Sequence, residues 1–150
     1  MQLQSDTISS FKTAHQGQRI VLTNGCFDIL HIGHVRYLQA ARQEGDLLIV
    51  GVNSDASVRQ LKGPTRPVNT DVDRAELLRA LSCVDATFIF SEPTADALIR
   101  QVKPDVYVKA GDYSLETLPE TPTLQSLDIE IVFMPFVSGY STTRILERQN

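Results

Sequence analysis

Cysteine is scarce: only Cys26 and Cys83 occur in 150 residues. A chain of this length can bury a core without disulfides, so two free thiols in a reducing cytoplasm are expected. No run approaches the about 18 consecutive apolar residues of a membrane-spanning helix. The start, Met1-Gln2-Leu3-Gln4-Ser5-Asp6, is polar and lacks the apolar stretch of a secretory signal. Positive charge is not in excess either. The formal net charge is −4, which disfavours generic nucleic-acid binding and leaves room for a local basic pocket. Internal repeats, low-complexity tracts and linkers are absent, so a single domain over residues 1–150 is expected. The rest of the composition, 42% hydrophobic and 21% charged, is that of a globular chain.

Apolar, β-branched runs recur along the sequence. Arg19–Asn24, Leu47–Asn53, Ala86–Phe90, Val106–Lys109 and Ile129–Met134 read as five strands. Their hydrophobicity is near-continuous rather than alternating, as in strands covered on both faces. Between them Val35, Leu38 and Ala41 repeat at helical spacing, as do Val72, Ala75, Leu78 and Leu81. Thr70 with Asp73 resembles a capping box that starts a helix near residue 71. Thr94 to Val102 suits a short helix stopped by Pro104, and a last helix begins near Ser141. Residues 110–128, with Pro119 and Pro122, form the longest stretch without a pattern. Strand–helix alternation predicts an α/β fold: one doubly wound, Rossmann-like domain on a five-stranded parallel sheet. Ligands of such folds sit beyond the carboxyl ends of the strands, where the strand order switches.

The polar motifs follow strands, as that rule requires. After the first strand comes Gly25-Cys26-Phe27-Asp28, then His31-Ile32-Gly33-His34 at the expected helix start. Residues three apart share a helix face, so the two imidazoles stand together. Gly33 lets an anion approach the backbone, and the helix N-terminus adds free N–H groups and partial positive charge. The combination makes an anion site with two ring donors. An ordinary strand–turn–helix corner is the plain alternative. Cys26 reads as a small buried residue rather than a nucleophile.

This segment resembles the His-x-Gly-His signature of the nucleotidylyltransferase superfamily, to which class I aminoacyl-tRNA synthetases also belong. The resemblance implies that His31 and His34 contact a triphosphate and stabilise the transition state. It implies that Gly25, Gly33 and the Cys26-Phe27 backbone line the nucleotide, with Asp28 orienting the site.

Three further motifs are read beside it. Lys62-Gly63-Pro64-Thr65-Arg66-Pro67 suits a mobile flap over an anion, and equally a solvated loop. The resemblance implies a catalytic lysine in this region, assigned to Lys62. Arg66 and Arg74 are weaker candidates for a substrate phosphate, and Arg74 is also readable as a solvated residue of its helix. Val108-Lys109-Ala110-Gly111-Asp112-Tyr113 is similar to the Val-Lys-Gly-Gly-Asp-Tyr motif of heptose-phosphate adenylyltransferases, which places Asp112 near the nucleoside and leaves Lys109 as a phosphate candidate. Ala110 departs from the Gly usual there, asking for a less permissive backbone. In Ser138-Gly139-Tyr140-Ser141-Thr142-Thr143, Ser141 can simply cap the last helix. The run also matches the superfamily's Gly-x-Ser-Thr-Thr motif, which implies that Gly139, Tyr140, Ser141, Thr142 and Thr143 hold the β- and γ-phosphates. His15 and Cys83 read as structural.

The resemblance spans about Arg19 to Arg148. It is nearest to the adenylyltransferase domain of bifunctional heptose-phosphate kinase/adenylyltransferases, without the kinase domain. It implies AMP transfer from ATP to D-glycero-β-D-manno-heptose 1-phosphate, giving ADP-heptose for lipopolysaccharide and pyrophosphate. Mg²⁺ is expected to travel with the triphosphate rather than on protein ligands. A phosphate acceptor is already largely ionised near neutral pH, its second pKa being about 6, so no general base is required. The expected partners are these small molecules, with neither nucleic acid nor membrane; dimers are common in the superfamily. The alternatives are a CTP-dependent enzyme acting on glycerol 3-phosphate or a similar alcohol, and a non-catalytic nucleotide sensor. A synthetase would need a much longer chain and a Lys-Met-Ser-Lys-Ser loop, which is absent.

Overall fold

The computed structural model describes residues 5–135 and 141–148. Five strands, β1 (Ile20–Gly25), β2 (Leu47–Asn53), β3 (Ala86–Phe90), β4 (Val106–Ala110) and β5 (Glu130–Met134), form one sheet in the order β3-β2-β1-β4-β5. All pairings are parallel. The five expected strands are therefore present, with ends shifted by no more than a residue. Alternation along each strand splits the core in two. Ile20, Leu22, Ile49 and Tyr107 face one layer, Val21, Leu48, Val50 and Val108 the other. The first layer is closed by α1 (Ser5–Ala14), α5 (Asp96–Val102) and α6 (Thr121–Ser126), the second by α2 (Ile32–Arg42) and α4 (Asp71–Arg79).

Three helices were not among those expected: α1, α6 and α3 (Asp55–Lys62), which carries Lys62 on its last turn. Ser54 caps it by accepting from the Ser57 N–H at 3.2 Å. The patternless stretch 110–128 contains α6, with Pro122 in its first turn. Proline is well tolerated there because that N–H has no helical partner. One expected core position is also wrong: Val72 is 55% exposed, while Ala75 and Leu78 of the same stripe are buried. α4 begins at Asp71 with Thr70 as its cap, as expected.

The order switch lies between β1 and β4. β1 pairs with β2 along its whole length, from Ile20–Leu47 to Gly25–Val52. Its pairing with β4 stops at Leu22–Tyr107. Beyond that point the two strands part, and side chains bridge them. The Tyr37 hydroxyl bonds the Thr23 hydroxyl and donates to the Val108 carbonyl at 3.2 Å. The Tyr107 hydroxyl donates to Asn24 Oδ1. Burial pushes the Tyr37 phenol up to about 12, with the Thr23 hydrogen bond opposing it. It stays a neutral donor at any working pH. The crevice at the carboxyl end of β1 is thus framed by polar groups held in place by a parallel sheet.

Candidate active site

The first motif leaves β1 at Gly25 and turns through Phe27, whose φ is +48°. A left-handed Phe is uncommon and persists only where its surroundings hold it. Here the ring is buried, and a Cβ at position 25 would meet it at 3.0 Å. A side chain at position 25 would therefore crowd the Phe27 ring by a few tenths of an ångström. That ring in turn stands edge-on to His34, centroids 5.2 Å apart. His31 stacks on His34, with centroids at 3.8 Å and planes 20° apart. The two imidazoles share one face at the start of α2.

Their protonation follows from the same geometry. His31 is the N-cap of α2, and its Nδ1 accepts from the His34 backbone N–H at 3.4 Å. A neutral His31 with Nδ1 as acceptor carries its proton on Nε2. Burial lowers the His31 pKa. His34 is pushed down to about 4, by burial first and then by the charges of His31 and Lys62. Both rings are neutral near pH 7, and each offers one N–H. Among the described residues, His34 Nδ1 is buried without a hydrogen-bond partner.

A pH dependence of stability follows. In the unfolded chain His34 titrates near its ordinary 6.5; in the fold it stays neutral down to about 4. Stability is therefore fully present above pH 6.5 and falls as pH drops toward 4, where the unfolded chain takes up the proton and the fold does not. His34→Gln is expected to flatten this decline. Urea unfolding of both proteins at about pH 7 and about pH 5 measures it; equal losses would contradict the assignment.

Asp28 is 2% exposed and accepts three times. Arg66 Nε donates to it at 2.6 Å, the Val68 N–H at 2.8 Å and the Asn69 N–H at 3.1 Å. Burial alone would raise its pKa, but Arg66 and the two backbone donors outweigh that and hold it below the usual carboxylate value. Its role is to tie the segment after Lys62 onto the motif. The expected free flap is accordingly corrected at its far end: residues 66–69 are anchored, while Lys62, Pro64 and Thr65 remain exposed. Arg66 is committed to Asp28, and among the described residues its buried Nη2 has no partner.

Arg74 requires a fuller correction. It is neither solvated nor open to a phosphate, being 0% exposed. Nε donates to the Asn69 carbonyl at 3.0 Å, Nη1 to the Cys26 and Asn53 carbonyls at 2.6 and 2.7 Å, and Nη2 to Asp55 at 2.9 Å. A guanidinium has five N–H donors, and protein acceptors occupy at least four. Sequence reading missed the acceptors because three are backbone carbonyls, invisible in side-chain chemistry.

Lys62 stands on the last turn of α3 rather than in the loop. Its charge is felt by both His34 and Cys26. Burial raises the Cys26 thiol against the opposing charges of Lys62, Arg74 and Arg66, so the thiol is protonated and a poor nucleophile. Across the crevice, Lys109 lies near the end of β4 with its Nζ 5.1 Å from the Tyr113 ring centroid. Burial lowers its pKa, with Glu120 and Cys26 partly restoring it. The positive φ falls not at Ala110 but one residue later, at Gly111, with φ +104°. Asp112 is exposed in the following loop and forms no ion pair with the histidine cluster among the described residues. Ser141 caps α7 (Thr142–Glu147), accepting from the Arg144 N–H at 3.1 Å. Thr143 is exposed. Gly139 and Tyr140 lie outside the described residues.

Residues 22–148 match the family model described as Cytidylyltransferase-like. The chain belongs to the cytidylyltransferase-like family. It is 54% identical over 133 residues to the bifunctional protein HldE of a Nitratiruptor species, covering 89% of this chain and 28% of that protein. It is 50% identical over the same length to the bifunctional protein HldE of Syntrophotalea carbinolica, covering 27% of it. The chain thus spans about a quarter of the length of these curated relatives. Among solved structures, the lipopolysaccharide core biosynthesis protein of Thermoplasma volcanium superposes with a TM-score of 0.67 at 29% identity, over 83% of this chain and all of that one. Among the described residues, no helix is long and apolar enough to cross a membrane, and no three His, Cys, Asp or Glu side chains are grouped to hold a metal ion.

Proposed function

We propose that this chain transfers AMP from ATP to a sugar phosphate, D-glycero-β-D-manno-heptose 1-phosphate, releasing pyrophosphate and forming ADP-heptose. The observation that carries the reading is the stacked pair His31 and His34 at the N-terminus of α2, beside the crevice between β1 and β4. The name HldE on relatives near 50% identity, and the lipopolysaccharide title of the structural neighbour, support this acceptor over other phosphate esters. ATP as a substrate implies a cytoplasmic reaction.

In this reading a phosphate oxygen of the sugar attacks the α-phosphorus while pyrophosphate departs on the opposite side. Neutral His31 and His34 donate ring N–H groups to phosphate oxygens as charge builds, and Lys62 adds a full positive charge. Arg66 Nη2 and Lys109 are available to phosphate oxygens. The nucleotide lies along Gly25 to Asp28 and Gly33, with Asp112 at the nucleoside and the Gly139–Thr143 run at the outer phosphates. The basic lining suits a triphosphate better than a bare cation. The buried carboxylate of the motif turn, Asp28, is already taken by Arg66 and two N–H groups. Mg²⁺ would therefore be held by the phosphates, where it neutralises charge.

A two-by-two assay tests the pairing: ATP or CTP with heptose 1-phosphate or glycerol 3-phosphate, read as pyrophosphate. Release is expected with ATP and heptose 1-phosphate. Release only with CTP and glycerol 3-phosphate would replace the proposal by a cytidylyltransferase. Nucleotide binding with no release in any arm would make the chain a sensor.

A further inference from the structure

The N-termini of α3 and α4 meet head to head. The Asp55 N–H donates to Asp71 Oδ2 at 2.9 Å, and the Asp71 N–H donates to Asp55 Oδ1 at 2.8 Å. Each helix thus has its first N–H satisfied by the first side chain of the other. Two carboxylates this close repel, and Arg74 Nη2 offsets that by donating to the same Asp55 oxygen at 2.9 Å. The guanidinium also holds the carbonyl of Cys26 in the motif turn and that of Asn69, whose N–H and side-chain amide both bond Asp28. A continuous polar chain therefore runs from the histidine motif to the first residue of α3. At the other end of α3 stands Lys62.

The other anchors of α3 lie at the same end: Asn53 Nδ2 donates to Ser57 Oγ at 2.9 Å, and the Ser54 N–H to the Phe90 carbonyl at 2.9 Å. The buried residues of the helix are Ser57 and Val58, both in its first half, and Leu61 beside Lys62 is 59% exposed. Eight residues span about 12 Å, so a tilt of about 10° at the anchored end moves the far end by about 2 Å. We infer that Asp55 and Arg74, with Asp71, are positioning residues: they fix the start of α3 against the motif turn and so set where the Lys62 ammonium stands relative to His31 and His34. The inference rests on the catalytic reading of Lys62 given above, and assigns a task to three side chains that touch no substrate.

A double-mutant cycle tests it on the full chain: Lys62→Ala, Asp55→Ala and the pair, each assayed for kcat and KM with ATP and the sugar phosphate. Misplacing a catalytic group by an ångström or two costs about 10–10²-fold, so Asp55→Ala is expected to lose that factor in kcat with less change in KM. In the Lys62→Ala background the same substitution is expected to cost nothing more, because there is no ammonium left to misplace. Independent, multiplying losses would overturn the inference and leave Lys62 catalytic. An undiminished kcat in Lys62→Ala would remove both the catalytic reading and the inference. Should Asp55→Ala not fold, Asp55→Asn keeps an acceptor oxygen and drops the charge, and enters the cycle in its place. A second readout is the ring titration of His34, resolvable by NMR among three histidines. It is expected to move upward in Asp55→Ala and to be unmoved by Asp55→Ala once Lys62 is gone. No movement in the first comparison would also count against the inference.

Discussion

A folded His34→Ala variant is expected to turn over about 10²–10³-fold more slowly than the parent chain, the usual consequence of deleting one fixed donor to a developing oxyanion. Three features single out His34 rather than its neighbour. It packs against the His31 and Phe27 rings, so its orientation is set before any ligand arrives. Its pKa near 4 keeps it neutral, and a neutral donor in a partly buried site needs no counter-ion when the site is empty. Its Nδ1 is buried without a partner among the described residues, an arrangement that costs free energy unless a ligand or a bound water completes it. Since the donor acts on charge that grows during the reaction, the loss should fall on kcat more than on KM. The measurement is steady-state pyrophosphate release by a variant whose cooperative unfolding has been verified. Turnover within a few-fold of the parent would remove His34 from the mechanism.

The second large effect is on stability. Arg74→Ala is expected to cost about 3–5 kcal/mol, the range for breaking a buried ion pair from one side. The side chain is fully buried, and its removal strands the carbonyls of Cys26, Asn53 and Asn69 together with the Asp55 carboxylate. Each stranded acceptor must find water or stay unpaired, and the emptied volume adds a cavity. Arg79 provides the contrast on the same helix. It is exposed and donates to Thr87 at the surface, so Arg79→Ala should change stability by about 0.5 kcal/mol or less. Denaturant unfolding of the two variants side by side measures the difference. Similar small losses in both would mean that Arg74 is dispensable.

The sheet was legible because a strand buried on both faces leaves an unmistakable apolar run, and five such runs, from Arg19–Asn24 to Ile129–Met134, appear in the sequence. The histidine pair was legible because residues three apart on a helix must share a face. Helices α1, α3 and α6 were not. α3 and α6 bury too few residues to make a periodic stripe, and Pro122 reads as a breaker when in fact it opens a helix. Arg74 was misjudged for a different reason. A charged residue three places into a polar helix start looks solvated, and only the meeting of Cys26, Asn53 and Asn69 in space shows that it is enclosed. Asp55 and Asp71 carried a signal, acidic residues opening helices, but their mutual embrace depends on two helix ends converging across 16 positions.

The most direct test of the whole account is the fate of labelled phosphorus. ATP carrying the label at its α-phosphate is incubated with the chain and the sugar 1-phosphate, in parallel with ATP labelled at the γ-phosphate. Attack at the α-phosphorus predicts that the α-label appears in the nucleotide sugar and the γ-label in free pyrophosphate. Transfer of the γ-label to the sugar, with ADP as the other product, would contradict the account, because the site beside His31 and His34 would then be performing phosphoryl rather than nucleotidyl transfer.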